Sequence, residues 1–427
     1  MGKIKNSKRD FFKLLRNISY SYFLSQLLLT KQIKAKKKKP RVIVIGAGFG
    51  GAACISYLSK FTKILDLYVF DKNSSIQTGP FSNLVIGDIL TPQDITFKPK
   101  FSSNVKFYDK SIKFIQSKKK KIVLSDNNSF SYDILILSPG IGLKSKNIEG
   151  YSDENIYLTP HCWDGEKNLG DFKKRLNDLE NNSRILISAP DYPYRCPPAP
   201  YERASMIAYY LKKKKFNFTI TVLDSKDSFT KKENFLSEWK KNYNNSITWI
   251  SRKEGGKVLS IKNKEVFTEK GLKFSGDLIN IIPDQKVSNV ISQSELINED
   301  WCTVNPINFE LKSHKDIYVL GDSIDAGDMP KSGFSANSQA QALSMNLINM
   351  LLQKKYTDPV FLNTCYSFST NERAFSITAW YRLNSSKDRI VSLGSKESQL
   401  LASNFERINE STEAFGWYKN ITKMMYG

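Results

Sequence analysis

The sequence predicts an α/β fold of two Rossmann-type dinucleotide-binding domains followed by a C-terminal domain. Three observations carry this. The apolar run RVIVI leads into Gly46-x-Gly48-x-x-Gly51 and a helical pattern. A second strand–loop–helix–strand unit follows, in SRILISAP and FTITVLDSKD with DYPYRCPPAPYERAS between them. Two further apolar strands, SYDILILSPG and HKDIYVLGDSID, stop at Pro-Gly and Gly-Asp steps. Alternating strand and helix patterns of this kind build parallel sheets. At 427 residues the chain exceeds one ordinary core. The expected division is 1–40 as a basic lead, 41–150 and 281–355 as two parts of one dinucleotide-binding domain, 151–280 as a second such domain, and 356–427 as the C-terminal domain.

Through Arg41 the chain carries 13 Lys or Arg against one acid. SKRDFFK looks like a twin-arginine export motif with Lys8 in place of the first arginine, and the apolar run over residues 18–29 is too short to span a bilayer. A degenerate export signal and periplasmic placement are the expectation, with a basic amphipathic lead and a cytoplasmic protein as the alternative. No other segment reads as transmembrane. The rest of the +22 formal charge is Lys scattered among Asn, Ile and Ser. No basic stripe interleaved with aromatics appears, which argues against nucleic-acid binding.

Five cysteines without a CxxC or zinc spacing, and only two histidines, argue against a disulfide scaffold, a metal site and a Ser/His/Asp triad. No metal is expected. CxxCH is absent, so no haem is attached to this chain by that chemistry.

In the glycine fingerprint Gly46 permits the tight turn, Gly48 lets a pyrophosphate approach the backbone, and Gly51 lets helix and strand pack closely. The second strand, LDLYVFDKN, ends in Asp71, 20 residues beyond Gly51, where a ribose-binding acid belongs. Lys72 and Asn83 are assigned to the same cofactor. Strands like those ending at Ser138-Pro139-Gly140 and Gly321-Asp322 return to the first domain in the two-dinucleotide-domain flavoproteins and bring Gly-Asp to the flavin's ribityl and phosphate groups, a similarity that points to FAD rather than NAD.

The second unit lacks a glycine fingerprint. Its loop is DYPYRCPPAPYERAS, and prolines have no N–H with which to cradle phosphate. NAD(P)H therefore has no seat, and the loop presents Cys196 instead. Pro197 and Pro198 are expected to hold Cys196 extended. A helix from about residue 200 to 211 follows; its positive end would lower a thiol pKa, and Glu202 would move a proton. The plainer role for Glu202 is a favourable charge at a helix amino end. A disulfide to Cys196 has four candidate partners. Packing is the default for Cys54, Cys162 and Cys302, and Cys365 lies in the polar-flanked FLNTCYSF. Spacing selects none of them.

RVIVIGAGFGGAA, SPGIGLKSKNIEGYS, YRCPPAPYERAS, MPKSGFSANSQ, LNTCYS and WYKNITKMMYG together resemble the flavoprotein subunit of flavocytochrome c sulfide dehydrogenase. That family is related to the sulfide:quinone reductases and has a glutathione-reductase-like fold. The resemblance implies a redox-active disulfide between Cys196 and Cys365 beside FAD, with Glu202 as acid/base. In the implied cycle hydrosulfide attacks the disulfide, two electrons pass to FAD, and they leave singly through a c-type cytochrome subunit. It also implies that Ser335, Ala336 and Asn337 lie at a helix amino end facing the flavin. Where some members carry a cysteine that binds FAD covalently, this chain has Gly79, so non-covalent FAD is expected. The alternatives are a sulfide:quinone oxidoreductase and a flavin-binding assembly partner without catalysis.

Overall fold

The structure, a computed structural model, describes residues 38–152, 156–163 and 166–427. SKRDFFK and the apolar run over 18–29 lie outside the described residues. Buried apolar strands form where the sequence is continuously Val, Ile and Leu, the mark of a sheet covered on both faces. In β1 (Arg41–Ile45) all but Arg41 are buried. Helix α1 (Phe49–Leu58) starts directly after the Gly46–Gly48 turn. Then come β2 (Asp66–Asp71), the short helix α2 (Ser82–Ile86), β3 (Val105–Asp109) and the fully buried β4 (Ile134–Leu137). Strands β4, β1, β2 and β3 lie parallel in that order.

The second unit repeats the plan. Helix α3 (Glu166–Asn177) precedes β5 (Ser183–Ala189); α4 (Ala199–Lys213), β6 (Phe218–Asp224), α5 (Lys232–Tyr243), β7 (Ile247–Ile250) and β8 (Leu278–Asn280) follow. Its sheet runs β7-β6-β5-β8, again parallel.

Strand β9 (Ile317–Val319) then returns to the first sheet beside β4, and α6 (Gly333–Leu351) packs on α1. A three-stranded antiparallel sheet, β10 (Val360–Phe368), β11 (Ala374–Leu383) and β12 (Ile390–Glu397), leads to α7 (Asn404–Tyr426). A reciprocal Ser403–Glu406 capping box starts α7 and satisfies two of its free N–H groups. At its far end Tyr426 Oη donates to Ala47 O at 3.1 Å, and Tyr418 Oη pairs with Thr78 Oγ1 at 2.6 Å. Residues Arg41–Gly427 form one compact unit.

Candidate active site

One cavity of about 2100 Å³ spans the carboxyl edge of the first sheet, the β5–α4 loop and the middle of β10. Its glycine-loop end is built as the fingerprint requires. Gly46 has φ +93°, and a Cβ there would lie 2.3 Å from Ser138 O. A Cβ on Gly51 would lie 1.8 Å from Gly46 O, so only glycine lets α1 meet the strand. A Cβ on Gly48 meets nothing within 4 Å: its approach face is the cavity. Asp71 holds the loop, accepting from Ala47 N at 2.8 Å and Asn73 N at 2.9 Å.

Lys72, Ser138, Pro139, Gly140, Gly321, Asp322 and Ala336 also line this cavity. Asp322 Oδ1 is a buried acceptor with no partner among the described residues, and burial pushes this carboxyl up despite Arg195 and Lys331. An orphaned acceptor beside Gly321, at an open glycine-lined wall, fits the hydroxyl-rich chain of a flavin cofactor.

Three other assigned residues are placed differently. Asn83 lines the cavity, where its amide donates to Glu202 Oε2 at 2.7 Å and its Oδ1 accepts from Arg203 Nε at 3.2 Å. Ser335 is turned away: its N–H caps onto Ser332 Oγ and its hydroxyl donates to Asn363 Oδ1. Asn337 lies outside the cavity lining, and its buried Nδ2 has no hydrogen-bond partner among the described residues.

At the other end Cys196 and Cys365 line the cavity as free thiols, close enough for each to shift the other's ionisation. Cys196 is not extended. Its φ is +57°, although a residue before proline favours extended backbone. Tertiary hydrogen bonds override the local rule. Cys196 N donates to Lys331 O at 2.8 Å, Ala199 N donates to Cys196 O at 2.9 Å, and Tyr194 Oη donates to Pro197 O at 2.6 Å. Cys365 sits in mid-strand opposite Ile377.

The thiols are unequal, in the opposite sense to the helix-dipole expectation. Cys196 is pushed well above the usual thiol range by its hydrogen bond to Cys365 and by burial. Cys365 is lowered to about 7, first by the hydrogen bond it accepts and then by Lys231, against burial. Glu202 accepts from Asn83 and from Phe368 N at 2.9 Å, and burial still raises it above the ordinary carboxyl value.

Two buried cations here were not anticipated. Arg203, 1% exposed, donates to His161 O at 2.6 Å, Asn280 Oδ1 at 2.9 Å and Cys162 O at 3.2 Å, with its guanidinium 4.6 Å from the Trp163 ring centre. Lys231 precedes α5 and donates to Cys365 O at 2.8 Å and Ser367 Oγ at 2.7 Å. Arg203 was within reach as the neighbour of Glu202 in PYERAS; nothing local distinguishes Lys231 from Lys232. Of the other cysteines, Cys54 and Cys302 are buried packing residues as expected, whereas Cys162 lines the cavity.

The acid at the corresponding strand end of the second sheet is engaged by protein groups. At the end of β6, the counterpart of Asp71 is Asp224. It is fully buried and already bound by Lys226 Nζ at 2.6 Å, Tyr201 Oη at 2.5 Å and Trp249 Nε1 at 2.8 Å. Tyr201 stacks on Phe229 with ring centres 3.6 Å apart.

Three family models match. Residues 171–283 match the central part of the sulfide dehydrogenase [flavocytochrome c] flavoprotein chain, and 357–426 match the flavocytochrome c sulphide dehydrogenase flavin-binding part. Residues 40–186 match the pyridine nucleotide-disulphide oxidoreductases. The chain belongs to the flavocytochrome c sulfide dehydrogenase flavoprotein family. The family is one of flavin-dependent oxidoreductases with the two-dinucleotide-binding-domain fold. Among relatives, the mitochondrial sulfide:quinone oxidoreductase of Dictyostelium discoideum is 23% identical over 356 residues, covering 76% of this chain and 74% of that one. The sulfide:quinone oxidoreductase structure from Aquifex aeolicus superposes with a TM-score of 0.69 at 17% identity, over 90% of this chain and 92% of that one. A putidaredoxin reductase–putidaredoxin complex gives 0.63 at 13% identity, over 88% and 93%.

Among the described residues no group of three or more His, Cys, Asp and Glu is placed to hold a metal, and no described helix is long and apolar enough to cross a membrane.

Proposed function

We propose that this chain is an FAD-dependent sulfide dehydrogenase that works through a Cys196–Cys365 disulfide and delivers electrons to a c-type cytochrome subunit. The observation that carries the reading is the thiol pair itself: two cysteines from distant segments meet in the cavity that begins at the glycine fingerprint. Hydrosulfide is a small, strong nucleophile in disulfide exchange. Its attack breaks the protein S–S bond, forms a persulfide S–S bond, and leaves the electron pair on the other cysteine as thiolate. Glu202, with its raised pKa and lying near both thiols, takes and returns the proton. Bound FAD supplies a two-electron acceptor that releases electrons singly.

Gly79 offers no side chain for a covalent link, and non-covalent FAD is part of this reading. Periplasmic placement and the cytochrome partner belong to the same reading. A quinone acceptor is the second reading, favoured by the exposed Leu400, Leu401, Phe405 and Ile408 around the start of α7. Anaerobic sulfide titration followed by flavin absorbance, with cytochrome c and then a quinone offered, separates the two. Absence of bleaching by sulfide overturns both.

A further inference from the structure

Lys331 is buried where the two ends of the cavity meet. Its carbonyl accepts from Cys196 N at 2.8 Å, the bond that holds the left-handed turn. Its ammonium donates to Asp322 O at 3.0 Å and Ile324 O at 2.6 Å, in and just after the turn Gly321–Ser323, and lies 3.5 Å from the Trp301 ring centre. From the other direction Arg195, beside Cys196, brings its Nε to 4.0 Å from Asp322 Oδ2. The next residue, Ser332, caps α6 through its hydroxyl, which also donates to Asn363 Oδ1 at 2.6 Å, two positions before Cys365 on β10. Ser332 is sufficient for the cap, so the helix does not explain the lysine. The two carbonyls and the indole face do: one ammonium has donors for both, and a buried carbonyl left without a donor is costly. A side chain clamped at its tip by the Gly321-Asp322 segment, and at its root by Cys196 N, leaves little slack between them.

We propose that Lys331 is a positioning residue that couples flavin binding to the Cys196 turn. Flavin held by Gly321-Asp322 fixes the carbonyls that grip the ammonium, and through the Lys331 peptide it fixes the hydrogen bond from Cys196 N. Coupling between two sites is reciprocal, so a loosened Cys196 turn weakens flavin binding by the same factor. The inference rests on flavin at the glycine-lined end and not on sulfide chemistry. Failure of sulfide to bleach the flavin overturns the functional reading and leaves this coupling readable.

The test follows hydrogen–deuterium exchange of the Cys196 amide by mass spectrometry, in protein stripped of flavin and in protein saturated with FAD. Pro197, Pro198 and Pro200 carry no N–H, so few amides share its peptide. In wild type FAD should slow this exchange at least about tenfold, and in Lys331→Met, at saturating FAD, by less than about twofold. Asn346→Ala removes a buried donor of α6 outside the cavity lining; it should lose stability yet keep the wild-type response. If Lys331→Met does not hold flavin, Lys331→Gln, which keeps an uncharged donor, repeats the reading. A second arm needs no stripped protein and reads flavin release on dilution. Tyr194 Oη donates to Pro197 O at 2.6 Å and lines a separate cavity of about 600 Å³ behind the turn, not the flavin cavity. Tyr194→Phe should speed release at least about threefold alone, and by less than about 1.5-fold in a Lys331→Met or Lys331→Gln background, the non-additivity of a coupled pair. A wild type whose Cys196 amide ignores FAD, an FAD response that survives in either Lys331 variant, or additive effects of Tyr194 and Lys331 would each overturn the coupling.

Discussion

Lys226 Nζ lies 2.6 Å from Asp224 Oδ1, and both side chains are almost wholly buried. The pair closes the end of β6, where a nucleotide-binding sheet would receive a ribose. Lys226→Met leaves Asp224 with the Tyr201 and Trp249 donors and the backbone N–H of residue 226. Removing one partner of a buried pair typically costs about 3–5 kcal/mol. The expected result is a clear loss of melting temperature. NADH and NADPH should bleach no flavin in either protein, checked by anaerobic titration.

The two thiols act as a unit. Cys196→Ser and Cys365→Ser should each abolish sulfide-dependent bleaching while flavin remains bound at the wild-type ratio, read from the visible spectrum of the purified protein. Bleaching unchanged in either variant contradicts the disulfide route.

The Cys365 shift sets a pH dependence of stability. Its pKa falls from 9.0 in the ordinary thiol to about 7 in the fold, so its contribution is fully present above pH 9 and is lost as pH falls through 7. Between pH 7 and 9 the reduced wild type should therefore gain stability over reduced Cys365→Ser. Glu202 has the opposite sign, because a carboxyl raised by burial costs stability as pH rises from 4.5 through its folded value. Glu202→Gln should flatten that limb of the melting-temperature profile.

Two glycines separate packing from cofactor binding. Gly51→Ala places a methyl 1.8 Å from a backbone oxygen and should destabilise the fold by about 3 kcal/mol or more. Gly48→Ala meets no protein atom and should melt near wild type, yet bind flavin at least about tenfold more weakly. Melting curves and flavin release on dilution distinguish the two.

The dinucleotide fold was legible because its signals are local: continuous apolar strands, glycines at fixed offsets, and an acid at the next strand end. The proline loop of the second unit was legible for the same reason, since it stands where a glycine fingerprint would. Cys196 showed the limit. Its neighbours Pro197 and Pro198 point to extended backbone, and only Lys331 O, far along the chain, explains the left-handed turn. The thiol asymmetry was out of reach too, because it depends first on Cys196 and Cys365, distant in sequence, meeting in one cavity. The surroundings of Asn83 were out of reach as well, because an asparagine near a nucleotide loop gives no sign that an acid and an arginine will engage both ends of its amide.

The left-handed turn at Cys196 also divides mechanical labour between the sulfurs. Cys365 is clamped in a ladder, its neighbour Thr364 bonded across to Thr378, and it cannot shift without unzipping strand pairs. Cys196 hangs from a loop by a few single hydrogen bonds. Making and breaking a disulfide changes how far apart the two sulfurs sit. That travel falls to the loop, so one sulfur behaves as a fixed electrode and the other as the moving contact.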